Sequence, residues 1–157
     1  MRILVLSDSH GRASRLEEII EAQSTAKHVF FLGDVLKDAE YLEELYPDRT
    51  FYKVSGNCDF YCDVPSHKSV TIAGKKIFYT HGHEYGVKSS YSHLLSYAKA
   101  LSADIVLYGH THIPNIRYED GVYLVNPGSV GRGRENGDTY AYIDIVDGGV
   151  FAATVKI

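Results

Sequence analysis

Five short apolar runs in this chain end in the same way, and that repetition constrains the fold more than any other feature. "ILVLS" runs into Asp8-Ser9-His10, "VFFL" into Gly33-Asp34, and "FYKVS" into Gly56-Asn57. "KIFYT" runs into His81-Gly82, and "IVLY" into Gly109-His110-Thr111-His112. Runs of this length and composition read as buried strands. Open α/β sheets collect their binding groups just past the carboxyl ends of their strands. A glycine adjoins four of the five ends, where the backbone must turn sharply or pass close to a small object.

The intervening segments give the class. "RILVLS" (2–7), "HVFFL" (28–32) and "TFYKV" (50–54) read as strands. Between them lie a helix over "SRLEEIIEAQ" and one over "DAEYLEELY" (38–46), the latter stopped by Pro47. In the first, Ser14 and Glu17 have capping-box spacing, and Leu16, Ile19 and Ile20 share a face. "SVTIAGKKIFYT" reads as a hairpin turning near Gly74. A helix is expected over 87–101, with Val87, Tyr91, Leu94, Leu95, Ala98 and Leu101 inward, before the strand "DIVLY" (104–108). Asp120-Gly121 and Asp147-Gly148 sit between alternating apolar segments, which is a strong hairpin signal. The expectation is parallel βαβ structure first and antiparallel structure later: a layered α/β protein with mixed sheets.

No Pro/Gly/Ser linker or repeat divides the 157 residues, so one domain spanning 1–157 is expected. With 45% hydrophobic and 23% charged residues, a globular core is affordable. The net charge of −4 argues against extended nucleic-acid binding, which needs many Lys and Arg against phosphates. The apolar run in "MRILVLSDSH" is too short for a signal-peptide core or a membrane span. A cytoplasmic location follows, with Cys58 and Cys62 as reduced thiols rather than a disulfide.

Taken singly, each His or Asp at these strand ends is as readily a surface or turn residue as a ligand. Together, Asp8, His10, Asp34, Asn57, His81, His110 and His112 form an oxygen and imidazole set without thiolate. Such a set suits Mn, Fe, Zn, Co or Ni. Seven ligands exceed what one tetrahedral ion needs. They suit two ions that share a carboxylate, and Asp34 is the best placed to be shared. A metal pair can clamp phosphate oxygens and hold an attacking hydroxide.

The motifs "DSH" (8–10), "GD" (33–34), "GN" (56–57), "THGH" (80–83) and "GHTH" (109–112), followed by "NPGS" (126–129), resemble those of the calcineurin-like metallophosphoesterases. The size and "GNCD" (56–59) are most similar to their compact bacterial and archaeal phosphodiesterase branch. The resemblance implies a four-layer αββα sandwich, two mixed β-sheets flanked by helices. It implies one divalent ion on Asp8, His10, Asp34 and His112, and a second on Asp34, Asn57, His81 and His110. Manganese leads the candidates, with Ni, Fe, Co and Zn behind it. The expected activity is hydrolysis of a small phosphoester, foremost a phosphodiester, by a metal-bound hydroxide, with Asn57, His81 and Asp34 as catalytic residues. A phosphomonoesterase, a non-catalytic scaffold of this fold and a nuclease are the alternatives.

Many members of that superfamily carry a histidine after the Asn, thought to help the leaving group. Cys58 stands there instead, and a neutral thiol is a poor proton donor, so leaving groups of low pKa are expected. Cys58, His83 and Arg132 are candidate substrate contacts. Arg134 and the backbone amides of "NPGSVGRGREN" (126–136) are candidates for phosphate. Asp59 is expected either to orient a ligand histidine or to serve a turn. His28, His67 and His93 read as surface residues. The thirteen tyrosines leave room for a homo-oligomer interface.

Overall fold

The structure, a computed structural model, describes residues 1–134 and 137–157. The chain runs β1 (Arg2–Leu6), α1 (Ala13–Ala22), β2 (His28–Phe31), α2 (Leu36–Leu45), β3 (Thr50–Lys53), β4 (His67–Ile72) and β5 (Lys75–Thr80). It continues through α3 (Ser92–Ala100), β6 (Ile105–Leu107), β7 (Asn115–Glu119), β8 (Val122–Asn126), β9 (Thr139–Val146) and β10 (Gly149–Lys156). One five-stranded sheet has the order β10-β9-β1-β2-β3, and the other β4-β5-β6-β8-β7.

β1, β2 and β3 are parallel, as the two helical crossovers require, and β9 joins β1 antiparallel. The expected antiparallel second half holds only for the hairpins. β5, β6 and β8 are parallel to one another, because α3 carries the chain back between β5 and β6, and β7 carries it back between β6 and β8. The five ligand-bearing strand ends are therefore carboxyl ends of parallel neighbours in their own sheets.

Side-chain alternation along each strand builds the four layers. Ile3 and Val5 of β1 face inward, with Phe30, Ile77, Ile105 and Leu107, into a cluster between the sheets. Leu4 and Leu6 face the other way, onto Leu16, Ile19 and Ile20 of α1 and Ala39 and Leu42 of α2. Phe78, Val106 and Leu124 pack on Leu94, Leu95 and Ala98 of α3, on the outer face of the second sheet. Each such Leu, Ile or Phe contributes about 1.5–3 kcal/mol relative to an exposed side chain.

Three local expectations need correction. The Ser14–Glu17 pair is not a capping box: α1 begins at Ala13, with Arg12 at the cap position and no side-chain cap bond. The chain is already turned there by positive φ at His10 and Gly11 and by Arg12 N–H donating to Ser9 O. α2 starts at Leu36, two residues early, because a distant carboxylate caps it, as described below. α3 starts at Ser92 rather than 87. Gly86 O accepts from Ser89 and Ser90 N–H, and Ser90 Oγ accepts from Ser92 N–H, so local bonds compete with the first helical turns. Val87 and Tyr91 still join the α3 cluster from outside the helix. The hairpins turn at Ala73-Gly74, Asp120-Gly121 and Asp147-Gly148, all with positive φ, as two-residue turns demand. Among the described residues, no helix is long and apolar enough to cross a membrane.

Candidate metal centre

The loops after β1, β2, β5 and β6 are tied to one another before any side chain is considered. Asp8 N–H donates to Gly33 O, and Gly109 N–H to His81 O, both at 3.0 Å. These ties carry strain. Asp8, His10, Asp34, His110 and His112 all hold φ between +48° and +67°. A non-glycine residue held there costs on the order of 1 kcal/mol or more. Five such residues at one place mark a site whose geometry is imposed by its surroundings.

Asp8, His10, Asp34 and His112 each offer an atom to a group lying within 4.8 Å of one another, a cluster that could hold a metal ion. Within it, His112 Nε2 lies 2.9 Å from Asp8 Oδ1 and 3.4 Å from His10 Nε2. Beside it, His81 Nε2 lies 3.1 Å from Asn57 Oδ1 and 3.2 Å from His110 Nδ1. Asp34 stands between the two groups: its Oδ2 is 3.8 Å from His10 Nε2, and its Oδ1 is 3.6 Å from His81 Nε2.

Two back-side hydrogen bonds fix which nitrogens face the centre. His81 Nδ1 meets Leu32 O at 2.7 Å, and His112 Nδ1 meets Arg132 O at 2.9 Å. A carbonyl only accepts, so both Nδ1 atoms carry the proton. Nε2 is then the atom each ring turns to the centre, toward Asp8 Oδ1 for His112 and toward Asn57 Oδ1 and His110 Nδ1 for His81. Carboxylate, amide and imidazole groups packed this closely suit a cation among them. A proton can serve one pair, and a metal ion serves several at once.

The charges agree. Burial pushes the Asp8 carboxyl up, but its hydrogen bond to His112, then the nearness of the His81 ring and Ser7 Oγ, hold it below the usual range. The same bond to Asp8 raises His112 against the effect of burial. His110 is pushed down to about 4 by burial, with His81 and Lys88 adding to it. Its ring thus keeps a free electron pair at neutral pH. Lys88, Arg132 and Arg134 each act on a ring of the site, those of His110, His10 and His112 in turn. This local positive rim is invisible in a net charge of −4.

The supporting residues were the ones least legible beforehand. The Asp59 carboxylate accepts from Asp34, Val35, Leu36 and Gly56 N–H, each at 2.8 Å. It orients no histidine; it clamps the Asp34 loop and caps α2 from outside. Asp38 of α2 accepts from Ser9 Oγ at 2.6 Å and Gly11 N–H at 3.0 Å, steadying the Asp8–His10 turn. Asn126, fully buried, donates to Gly109 O and Thr111 Oγ1 at 3.0 Å each. Ser129 Oγ donates to Asp8 O at 2.8 Å. The amides of Val130, Gly131 and Arg132 are spent on Ser7 O, Asp8 O and Ser129 Oγ. They are thus not free for phosphate, and this part of 126–136 is a buckle joining the two sheets. Glu135 and Asn136 lie outside the described residues. Asp59→Ala should strip four amides of their acceptor, at a cost of about 3 kcal/mol. Its melting temperature should fall roughly 6–12 °C, and metal affinity, read by calorimetric titration, roughly 10–100-fold.

The remaining candidates fall as follows. Cys58 N–H donates to Asp34 Oδ1 at 2.9 Å. Burial, then the Asp34 hydrogen bond, push its thiol up to about 11, so it stays protonated beside these carboxylates. The His83 ring lies 5.4 Å from that of His81 and 6.0 Å from that of His110, and its buried Nδ1 has no hydrogen-bond partner. Arg132 reaches the site through its main-chain oxygen. His67 and His93 are exposed, while His28 is half-buried against Tyr52 OH.

This arrangement agrees with relationships visible across the whole chain. The calcineurin-like phosphoesterase superfamily domain matches residues 1–148, and the chain belongs to that superfamily. A probable metallophosphoesterase, YsnB of Bacillus subtilis, is 32% identical over 99% of this chain and 89% of its own length. The phosphodiesterase YfcE of Escherichia coli is 31% identical over 83% of this chain and 79% of its own. A solved structure from Streptococcus pneumoniae, described as a predicted phosphoesterase, superposes with a TM-score of 0.84 at 30% identity, covering 98% of this chain and 88% of that one.

Proposed function

We propose that the chain is a phosphodiesterase working with two divalent cations, manganese foremost. Asp8, His10 and His112 would hold one and Asn57, His81 and His110 the other, with Asp34 shared. The observation that carries this reading is the division of Asp34, whose two oxygens face two separate groups of acceptors. When bound, such cations supply Lewis acidity toward phosphate oxygens and lower the pKa of water. The chain's own part is to draw in and fix the substrate. Lys88, Arg132 and Arg134 favour entry of an anion. Asn57 and the imidazoles beside it face the position where negative charge develops. His81 and His112, locked by Leu32 O and Arg132 O, cannot rotate away. A diester preference draws support from the likeness to YfcE. The reading places residues 1–157 as one domain in the cytoplasm.

The test is hydrolysis of bis(p-nitrophenyl) phosphate beside p-nitrophenyl phosphate, using protein stripped of metal and then given Mn²⁺. Turnover is expected to vanish with chelator, to return with Mn²⁺ and to favour the diester. Undiminished turnover by stripped protein would overturn the reading. Restored turnover of the monoester alone would reassign the substrate class.

A further inference from the structure

Two consecutive aromatic residues, Phe60 and Tyr61, stand 77% and 108% exposed in the loop that follows Asn57. Tyr61 also holds φ at +57°, a region that bulky side chains rarely enter. Neither ring adds to the core, yet the loop is pinned. Asp59 takes four amides just before them, and Cys62 Sγ donates to Asp59 O at 3.4 Å just after. The rings border a cavity of about 550 Å³, whose other wall includes Leu36, Lys37 and Glu40 of α2. Cys58 lines this cavity as well, and its N–H is bonded to Asp34 Oδ1. Val35 and Cys58 of its lining directly follow Asp34 and Asn57 in the chain, so the cavity neighbours the candidate metal centre although none of the seven ligands lines it.

We infer that this cavity receives an organic arm of the phosphoester, and that the arm is a planar heteroaromatic group stacked on Phe60 and Tyr61. The inference rests on the phosphodiesterase reading for its neighbouring site. The volume suits a small organic group. The lining decides which kind. Glu40 and Asp63 are carboxylates, so a second phosphate would be repelled. Lys37, Glu40 and Asp63 interrupt the apolar wall, so an acyl chain would strand charged groups against hydrocarbon. A heteroaromatic ring matches both features. Its face stacks on aromatic side chains, and its polar edge meets Lys37 and Glu40.

Calorimetric titration of Mn²⁺-loaded protein with adenosine 5′-monophosphate and with ribose 5-phosphate isolates the ring, since both carry the same phosphate. The nucleotide is expected to bind about tenfold tighter, a gain within what one base–aromatic stack supplies. In Phe60→Ala/Tyr61→Ala the preference should fall to near unity while ribose 5-phosphate binds as before. Both side chains are exposed, so the fold should survive. Tyr61→Gly, which relieves the backbone, should melt no lower than the parent and still lose part of the preference. Equal affinities in the parent, or a preference that persists in the double variant, would overturn the inference. A nucleotide preference without metal-dependent diester hydrolysis would instead strike the functional reading and leave the cavity's role standing.

Discussion

Asp34→Asn should lower metal-dependent diester turnover more than about a hundredfold, since even outer partners of metal ligands cost about 10–100-fold when removed. Asn keeps the shape and one oxygen but loses the charge and the second acceptor. In the structure that second acceptor is what lets one side chain face both His10 and His81. The substitution should also separate binding from folding. Without metal, the variant relieves carboxylate crowding around Asp8 and Asp34, so it should melt at or above the parent. Saturating Mn²⁺ should raise the melting temperature of the parent, because ligand that binds only the folded state stabilises it, and should raise that of the variant much less. Parent-like turnover in Asp34→Asn, or an equal rise on adding metal, would remove Asp34 from the shared position.

Gly33→Ala should destabilise the protein by about 3 kcal/mol or more, through positive-φ strain and a backbone clash together. Gly33 has φ +95°, and a Cβ there would sit 2.4 Å from Gly56 N and 2.8 Å from Gly56 Cα. These are backbone atoms of the neighbouring loop and cannot swing aside. Moving that loop displaces Asn57 and breaks the Asp59 clamp on Asp34. The loss should appear as a fall of roughly 6–12 °C in melting temperature together with weakened metal binding. Gly56→Ala separates the two causes, since Gly56 has no positive φ while its Cβ would meet Asp34 Oδ1 at 2.2 Å and Asp34 N at 2.6 Å. A parent-like melting curve for Gly33→Ala would show that the two loops are not packed as described.

These glycines also show how much of the molecule was legible in advance. The strands and their polar ends could be read because burial writes continuous apolar runs, and ligands must be of a few chemical types. The strand ends bring all seven candidates to one side of the molecule; the grouping of Asp8, His10, Asp34 and His112 was what the family resemblance implied, and the side-chain positions agree with it. Asp59 could not be assigned, since its role depends on which amides a distant loop brings within 2.8 Å. Asn126 and Ser129 were visible only as the ends of the "NPGS" motif; their work, tying Gly109 and Asp8 across two sheets, could not be read from it. The start of α3 was misplaced because serines at 89, 90 and 92 offer local bonds that helical periodicity does not register. Lys88 was missed because charge was counted over the chain, while the field at His110 is set by what lies nearest.

The most direct measurement is anomalous scattering from crystals grown with Mn²⁺. The account predicts two peaks about 3.5–4 Å apart, one against Asp8, His10 and His112, the other against Asn57, His81 and His110, with an Asp34 oxygen on each. A single peak, or manganese seated away from Asp34, would contradict it.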